Sequence, residues 1–245
     1  WTPMPSMTAI AMAPAFADSA DTPSTRRAWC HALRALTEAR RHVPLNGIAV
    51  CFAARDLQHV PGLREAAGRL RRRIDEAALH LRLQFPVFLL VTGLEGLPGY
   101  AVVRDALPDA VVREAVGHRL PLDAHRGTGE TGEVFATPMA QWQALRMTLL
   151  RAHPAASERL AIHTFVEGLR DMEAGLAIVT DVLFAPDENG APVQPWRGLY
   201  LTAADARGGV FVHDLFERFL PADRPLAHAI TSPRRSGSGA RRSSR

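Results

Sequence analysis

The 245-residue chain contains no lysine, so all 29 of its lysine-plus-arginine positions are arginines. A lysine amine is required for a Schiff base, for the phosphate contact of a P-loop and for a guanine-specificity motif. These three mechanisms are therefore excluded within the residues present.

Long apolar runs and cysteines are also scarce. The longest apolar candidate, PVFLLV, has the length of a strand, whereas a membrane helix needs roughly 20 apolar residues. We therefore expect no membrane span in this chain. Cys30 and Cys51 lack C-x-x-C spacing and fall in a predicted helix and a predicted strand. This favours buried free thiols in a reducing compartment over a disulfide or a metal site.

The net charge of +4 is concentrated at one end of the chain. Five arginines lie in the last twelve residues, RRSGSGARRSSR, which leaves 24 basic against 25 acidic residues, or −1, in the remainder. Such a composition is typical of a disordered, solvated segment, and we predict one over residues 227–245. A nucleic-acid-binding module that uses this arginine-rich tail is the alternative.

The first 120 residues predict an α/β region. A helix is expected from Thr22-Pro23 to about Arg41, and residues 8–15, TAIAMAPA, form a short apolar run that predicts a strand ended by Pro14. Two apolar strands, at 48–53 and 85–91, flank a strongly amphipathic helix from Leu63 to Leu81. Strand, helix and strand in this order indicate a right-handed parallel unit whose sheet is covered by helices.

Residues 121–226 predict a mainly helical subdomain with one returning strand. Short helical pieces at 101–106 and 110–116 lead into a predicted loop, HRLPLDAHRGTGETGE, which ends near Glu133. Helices are then predicted at 139–150 and 157–184, a strand at 197–203 and a short amphipathic helix at 211–220.

Two local patterns carry little functional weight. The stretch GTGETG, residues 127–132, has no strand before it and no lysine after it, so it predicts a surface loop rather than a phosphate cradle. His163 and Glu167 lie one helical turn apart, but a zinc site needs three or four ligands, so a solvent-facing pair is expected. No metal site and no catalytic residue is predicted.

The segment TGLEGL follows the second predicted strand, at the end where open α/β sheets bind ligands. In GTPase-like proteins this position carries N/T-K-x-D, whose lysine packs along the base and whose aspartate accepts two hydrogen bonds from guanine. Here the corresponding residues are Thr92, Gly93 and Glu95. Glu95 keeps the charge but is one methylene too long. We therefore interpret the three as degenerate nucleotide positions and predict no cofactor.

Four segments occur in a characteristic order: RRHVPLNGIAVCFAARDL, FPVFLLVTGLEGLPGY, PWRGLYLTAADA and FVHDLFERFLPADRPL. Together they resemble the cytoplasmic domain of the IcmF/TssM family, the inner-membrane core component of type VI secretion systems. The resemblance extends from Trp1 to about Leu226. Its P-L-N-G and R-G-L-Y-L-T elements are fairly specific in combination.

The departures from the family pattern concern nucleotide chemistry. The family's P-loop would lie upstream of Trp1, and where its D-T-A-G aspartate should follow the first strand this chain has AMAPAFA, Ala11 to Ala17. Alanine and proline hold no magnesium-bound water. The resemblance therefore implies a pseudo-GTPase, with a truncated P-loop-NTPase-like parallel sheet flanked by helices and a helical subdomain.

The resemblance also implies a non-enzymatic scaffold of the secretion membrane complex. Its partners would be other type VI secretion components at the cytoplasmic face of the bacterial inner membrane, with the membrane anchor of the parent protein outside this chain and no nucleic acid. A fragment of an active P-loop NTPase, whose phosphate-binding half lies upstream, is the second alternative.

Overall fold

The structure, a computed structural model, describes residues 2–4, 6–12, 22–121, 131–186, 193–206 and 208–230. The strands are β1 (Thr2–Pro3), β2 (Thr8–Ala9), β3 (Ile48–Ala53), β4 (Leu83–Gln84), β5 (Val87–Thr92), β6 (Val116–Arg119), β7 (Trp196–Leu201), β8 (Ala203–Asp205), β9 (Gly208–Val210) and β10 (His228–Ala229). The α-helices are α1 (Pro23–Ala39), α2 (Ala54–Leu57), α3 (Leu63–Leu81), α4 (Tyr100–Ala106), α5 (Asp109–Arg113), α6 (Thr131–Ala152), α7 (Ala156–Arg170), α8 (Glu173–Phe184) and α9 (Leu220–Ala222). Short 3₁₀ turns lie at Leu94–Gly96 and Arg224–Leu226, and a π-helical stretch lies at Leu215–Phe219.

A four-stranded, mostly parallel sheet organises the fold. Its order is β3-β5-β7-β6, in which β3, β5 and β7 run parallel and β6 pairs antiparallel with β7. The predicted α/β class and the predicted unit of β3, α3 and β5 are confirmed. The predicted returning strand is also confirmed, and it is β7, which lies inside the same sheet. The division into regions 1–120, 121–226 and 227–245 stays a prediction, but the disordered segment does not begin at residue 227, because His228–Ala229 form β10, which pairs with β4.

Helix α3 shows how sequence periodicity becomes packing. Its buried residues recur every three or four positions and include Ala67, Ile74, Ala78 and Leu81, so one side of the helix faces the core. Arg71, beside this stripe, donates hydrogen bonds to the carbonyl oxygens of Leu183 (2.8 Å) and Ala185 (3.0 Å). These contacts satisfy carbonyl groups at the end of α8 and tie the two helices together.

The sheet has two unequal faces. On the first, alternate residues such as Val50, Leu89 and Leu199 join the main hydrophobic core with the helices. On the second, a smaller cluster forms from Phe88, Leu90, Tyr200 and Leu215. The second face is therefore covered by the C-terminal segment, and this cover does not extend over Ala49 and Cys51 of β3, which are exposed.

The C-terminal helical segment confirms the predicted short amphipathic helix. Its π-helical stretch, Leu215–Phe219, continues directly into α9. The N–H of Leu220 bonds to the carbonyl of Leu215, five residues back, and Leu220 and Phe219 pack against the second-face cluster. Pro221 follows and has no N–H to donate, so the segment ends within the next turn.

Three boundaries of the predicted helices differ from the structure. The helix predicted at 139–150 runs from Thr131 to Ala152 and continues through Pro138. The helix predicted at 157–184 is two helices, because the chain turns at Asp171–Met172, where the N–H of Met172 bonds to the carbonyl of Leu169. Residues 118 and 119, predicted as loop, belong to strand β6 together with residue 116, predicted as the end of a helix.

Two further expectations are corrected. The strand predicted at residues 8–15 is limited to Thr8–Ala9, which pairs with β1 in a separate hairpin, and residues 13–15 lie outside the described residues. Cys30 and Cys51 are free, as predicted, but both are exposed. Cys30 occupies the solvent side of α1, which buries only Leu33, and Cys51 occupies the uncovered part of the second sheet face.

Candidate functional site

The candidate site lies where β5 and β7 end side by side, as expected for the carboxyl edge of a parallel sheet. The strand-end corner, as we call it, comprises Thr92, Gly93 and Glu95 after β5 together with Thr202 and Ala204 after β7. Gly93 adopts φ +77°, a left-handed conformation that glycine accommodates most easily. This conformation turns the chain from β5 into the 3₁₀ turn that carries Glu95.

Internal hydrogen bonds join the strand ends at the corner. The N–H and the hydroxyl of Thr202 both donate to the carbonyl of Val91, at 2.7 and 2.9 Å. The N–H of Leu94 donates back to the carbonyl of Thr202 at 3.4 Å. The Thr92 hydroxyl donates to the carbonyl of Phe52 in the neighbouring strand at 3.4 Å. The threonine of the predicted motif therefore takes part in cross-strand bonding.

Glu95 makes the decisive contact of the corner. Its Oε2 accepts a hydrogen bond from the backbone N–H of Ala204 at 3.0 Å. The extra methylene of glutamate gives the carboxylate the reach to cross from the end of β5 to the segment after β7. The carboxylate at the position of the motif's base-reading aspartate is thus hydrogen-bonded to the protein's own backbone, while Glu95 itself remains exposed at the surface.

An ion pair beside the corner was missed by sequence reasoning. Arg104 of α4 contacts Asp205 of β8, with Nη2 and Oδ2 2.9 Å apart and both side chains largely buried. The two residues are 101 positions apart, and no local pattern connects them. The pair fastens the segment that carries Ala204 to α4, so it supports the Glu95 contact.

Tyr100 lies close to this ion pair. Its hydroxyl is buried without a hydrogen-bond partner among the described residues. Burial raises the pKa of Tyr100 to about 12; Arg104 opposes this shift, and Asp205 and Glu95 add to it. Because its hydroxyl stays protonated at neutral pH, Tyr100 offers no base there.

The other sequence candidates do not join the corner. Glu167 accepts hydrogen bonds from Arg146 and Arg170, each at 2.7 Å, and its Oε1 lies 4.0 Å from Nδ1 of His163. His163 is exposed, so the predicted solvent-facing pair is confirmed, with two arginines added. Within the described ranges no group of three or more histidine, cysteine, aspartate or glutamate side chains is arranged to hold a metal ion.

The glycine-rich stretch lies mostly outside the described residues. Of residues 127–132, only Thr131 and Gly132 are described, and they begin α6. A cleft of about 250 Å³ opens nearby, and none of its lining residues belongs to the strand-end corner. Its lining includes Phe135, Met139, Gln143, Arg170 and Glu173.

Comparison with known proteins assigns a family. The model of the IcmF-related N-terminal domain matches residues 23–210, which is most of the chain. The chain belongs to the IcmF-related family. The predicted resemblance is thereby confirmed at the level of the family. No curated protein and no solved structure matches the chain.

Membership of the IcmF-related family associates the chain with type VI secretion. It suggests that the partners are components of that system and that the system is associated with the inner membrane. The strand-end corner falls entirely within the matched residues. Among the described helices, none combines the length and apolar character needed to cross a membrane.

Proposed function

We propose that this IcmF-related domain is a non-catalytic scaffold of the type VI secretion membrane complex, with a GTPase-like architecture that no longer handles nucleotide. In this proposal it lies at the cytoplasmic face of the inner membrane and docks other secretion components. Its contribution is the shape and stability of the domain, and it needs no cofactor.

The hydrogen bond between Glu95 and Ala204 carries this proposal. A base-reading carboxylate must offer its oxygens to the exocyclic and ring N–H groups of the purine. In this corner one carboxylate oxygen already accepts from the Ala204 N–H at 3.0 Å. A base that needs both carboxylate oxygens would compete with the Ala204 N–H for Oε2, and this competition would reduce the gain from binding.

The neighbouring position supports the same conclusion. The position of the motif's lysine, which would pack along the base, is occupied by Gly93. This residue has no side chain and adopts φ +77°. The sequence contains no lysine that could take over this role from another position. The corner therefore retains the carboxylate of Glu95. Gly93 provides neither the polar group nor the alkyl chain with which the motif's lysine would contact the base.

The chain also lacks the acidic residue that phosphoryl transfer would need near the metal ion. The position predicted for the metal-proximal aspartate falls in AMAPAFA, residues 11–17, which contains no acidic side chain. Transfer of a phosphoryl group depends on charge stabilisation by a metal ion and its ligands. The aspartate would serve phosphoryl transfer and the lysine would contact the base. Because these are separate functions, the absence of each residue supports the scaffold proposal independently.

The proposal is tested with two variants, one that removes a charge and one that perturbs the fold. For each, type VI secretion by the bacterium that produces the protein is measured. In Glu95→Gln the amide oxygen still accepts from Ala204, but the charge is lost. We expect type VI secretion to persist in this variant, because the scaffold is intact. Gly175→Ala, which places a methyl group against the backbone of Leu57, should reduce secretion to the extent that it lowers the amount of folded protein.

Glu95→Gln distinguishes scaffold from enzyme, and Gly175→Ala shows that the assay responds to loss of the folded domain. Both must be checked for protein level in the cell, because loss of the protein also stops secretion. If Glu95→Gln accumulates normally and secretion stops, the carboxylate has a chemical role and the scaffold proposal is wrong.

A further inference from the structure

The amino edge of the sheet, opposite the strand-end corner, carries several arginines. Helices α1 and α3 end at Ala39 and Leu81, shortly before β3 and β5 begin. The C-terminal ends of both helices therefore lie at the amino edge, where the parallel strands start. Arg40 and Arg82 directly follow the last helical residues, and both are exposed.

Hydrogen bonds bring the segments at this edge together. Arg40 donates to Oδ1 of Asn46 at 2.9 Å, and Nδ2 of Asn46 donates to the carbonyl of Arg224 at 3.5 Å. The N–H of Ile230 donates to the carbonyl of Arg82 at 2.9 Å, and β10 pairs with β4 just before β5. The C-terminal segment thus connects the end of α1 with the end of α3.

The positive charge at this edge is not neutralised by the described residues. Four arginines there are exposed: Arg40, Arg41, Arg82 and Arg224. None of the four takes part in an ion pair within the described part of the chain. Glu38, the acidic residue closest to Arg40 in sequence, pairs with Arg34 at 3.1 Å. The two helix C-termini contribute about −0.5 each, which leaves roughly +3 on the four arginines together with these helix ends.

An apolar side chain protrudes beside these charges. Leu79 of α3 is 82% exposed, the largest exposed fraction of any large apolar side chain among the described residues. Leu79 and Arg82 are three positions apart, so they are neighbours at the end of the helix. Ile230, which bonds to the carbonyl of Arg82, is 40% exposed. We call the set of Arg40, Arg41, Arg82, Arg224 and Leu79 the amino-edge surface.

The sequence that continues from this surface is also positively charged. Residues 231–245 follow Ile230 directly and contain five arginines and no acidic residue. Arg234 and Arg235 come four and five residues after Ile230, a length of chain that spans at most about 18 Å. Their charges therefore stay within reach of the amino-edge surface and add to its field.

We propose that the amino-edge surface binds the anionic headgroups of a phospholipid bilayer. Guanidinium groups bind phosphate oxygens with paired hydrogen bonds, and Leu79 enters the boundary between headgroups and acyl chains beside them. In a protein partner, a leucine that protrudes this far needs a matching apolar pocket surrounded by acidic residues. An anionic bilayer accepts the leucine and the arginines without one.

The family's association with an inner-membrane system supplies such a surface. Binding holds the amino edge against the bilayer and turns the strand-end corner, at the opposite edge, away from it. The inference goes beyond the proposed scaffold function and does not depend on it. Vesicle binding and nucleotide binding are separate measurements on the same purified chain, so failure of one leaves the result of the other unchanged.

The direct test is co-sedimentation of the complete purified chain with phospholipid vesicles. One set contains phosphatidylcholine with about one third phosphatidylglycerol, and the other contains phosphatidylcholine alone. We expect saturable binding to the anionic vesicles and at least about tenfold weaker binding to the neutral ones. Added salt should weaken the anionic complex, because it screens the arginines.

A pair of charge-reversal variants locates the binding surface. In Arg41→Glu/Arg224→Glu neither replaced side chain makes a hydrogen bond or ion pair with the described residues. The control, Arg55→Glu/Arg64→Glu, makes the same change at two exposed residues near the other end of α3, about 25 Å away and beyond the screening length. The first variant should bind anionic vesicles roughly 30-fold more weakly, and the control should lose less than about threefold.

A second pair of variants tests the apolar contact. Leu79→Ser removes the protruding side chain and should weaken vesicle binding by about fivefold. The control is Leu160→Ser in α7. Leu160 is 65% exposed, and the adjacent Ala161 packs against Gly99, just beyond the strand-end corner. This control should bind vesicles as the unsubstituted chain does.

Three results would overturn the membrane proposal. The first is equal binding to anionic and neutral vesicles, or binding to neither. The second is full binding by Arg41→Glu/Arg224→Glu and loss of binding when the five arginines of residues 231–245 become glutamine, which would assign binding to that segment alone. The third is binding of single-stranded DNA without binding of vesicles, which would assign the charge to nucleic acid.

Circular dichroism checks that each variant folds. If Arg41→Glu/Arg224→Glu does not fold, the milder single variants Arg41→Gln and Arg224→Gln replace it, each with an expected loss of about fivefold. Unchanged vesicle binding by both single variants and by Leu79→Ser would contradict the assignment of the amino-edge surface.

Discussion

Arg197 and Asp223 form a buried ion pair that joins the central strand β7 to the C-terminal segment. Nε of Arg197 and Oδ2 of Asp223 lie 2.9 Å apart, and the two residues are only 7% and 3% exposed. Arg119 of β6 donates to the same carboxylate. One aspartate thus holds two guanidinium groups at the junction of the sheet and its second-face cover.

Removing this carboxylate should strongly destabilise the fold. We expect Asp223→Ala to lower the free energy of unfolding by about 3–5 kcal/mol, because the buried Arg197 loses its counter-charge. Urea unfolding followed by circular dichroism measures the change.

The control is the exposed pair Arg34–Glu38, whose side chains are 77% and 68% exposed. Glu38→Ala should cost no more than about 0.5 kcal/mol, since surface pairs contribute little. Similar losses in Asp223→Ala and Glu38→Ala would show that the Asp223 contacts are not buried as described.

Two helical glycines should respond in opposite ways to alanine. A Cβ on Gly175 of α8 would lie 2.1 Å from the carbonyl oxygen of Leu57, so Gly175→Ala forces the helix away from α2. Gly68 of α3 has no atom closer than 3.9 Å to the corresponding position. Gly68→Ala should therefore stabilise the protein by roughly 0.5–1 kcal/mol through helix propensity.

Thermal unfolding of both glycine variants provides the measurement. We expect the Tm of Gly175→Ala to fall by several degrees, or the variant to remain insoluble, and the Tm of Gly68→Ala to rise. A Gly175→Ala protein as stable as the parent chain would contradict the close packing of α8 on α2.

The alkaline titration of the protein should reflect its two tyrosines, which are the only ones in the sequence. Burial raises the pKa of Tyr100 and of Tyr200 to about 12. In both cases the folded state favours the neutral phenol more than the unfolded state does. The resulting contribution to the free energy of unfolding is fully present below pH about 10 and is lost as the pH rises toward 12.

Ultraviolet absorbance of the phenolate measures this directly. The native chain should show little ionisation at pH about 10.5, whereas the chain in guanidinium chloride should ionise with a pKa of about 10. Identical native and denatured titration curves would contradict the burial of both rings.

Both cysteines should react with a thiol reagent in the native protein, because both are exposed. Desolvation by surrounding atoms raises the pKa of Cys51, so less of it is thiolate at neutral pH and it should react more slowly than Cys30. Cys30→Ser and Cys51→Ser separate the two rates. A thiol that reacts only after unfolding would contradict its exposure in the native protein.

The elements found correctly from sequence are those with strong local patterns. Helix α3 and strand β3 match their predicted bounds because periodic apolar positions and a continuous apolar run leave few alternatives. The start of α1 is equally clear, since Thr22 caps it and Pro23 occupies the first turn.

The elements missed depend on tertiary contacts. Strand β6, with the sequence VGHR, has one apolar side chain and no alternation, and only pairing with β7 makes it a strand. The apolar spacing of α7 continues into α8, so the turn at Asp171–Met172 leaves no trace in the pattern.

The candidate site was predicted as three positions but not as a set of contacts. Thr92, Gly93 and Glu95 were identified from one short motif, and they do lie at the end of β5. Their partners Thr202 and Ala204 are more than 100 residues away, and a single sequence does not show which strand end lies beside which. The structure therefore changes the interpretation of Glu95 from a poor base reader to a backbone acceptor.

Equilibrium binding of nucleotide tests the central claim most directly. The purified chain is titrated with fluorescent GTP and ATP analogues in the presence and absence of magnesium, alongside Glu95→Ala, in which the bond to Ala204 is removed. We predict no saturable binding in the micromolar range by either protein. A micromolar, magnesium-dependent complex with the unsubstituted chain, weakened in Glu95→Ala, would contradict the scaffold account.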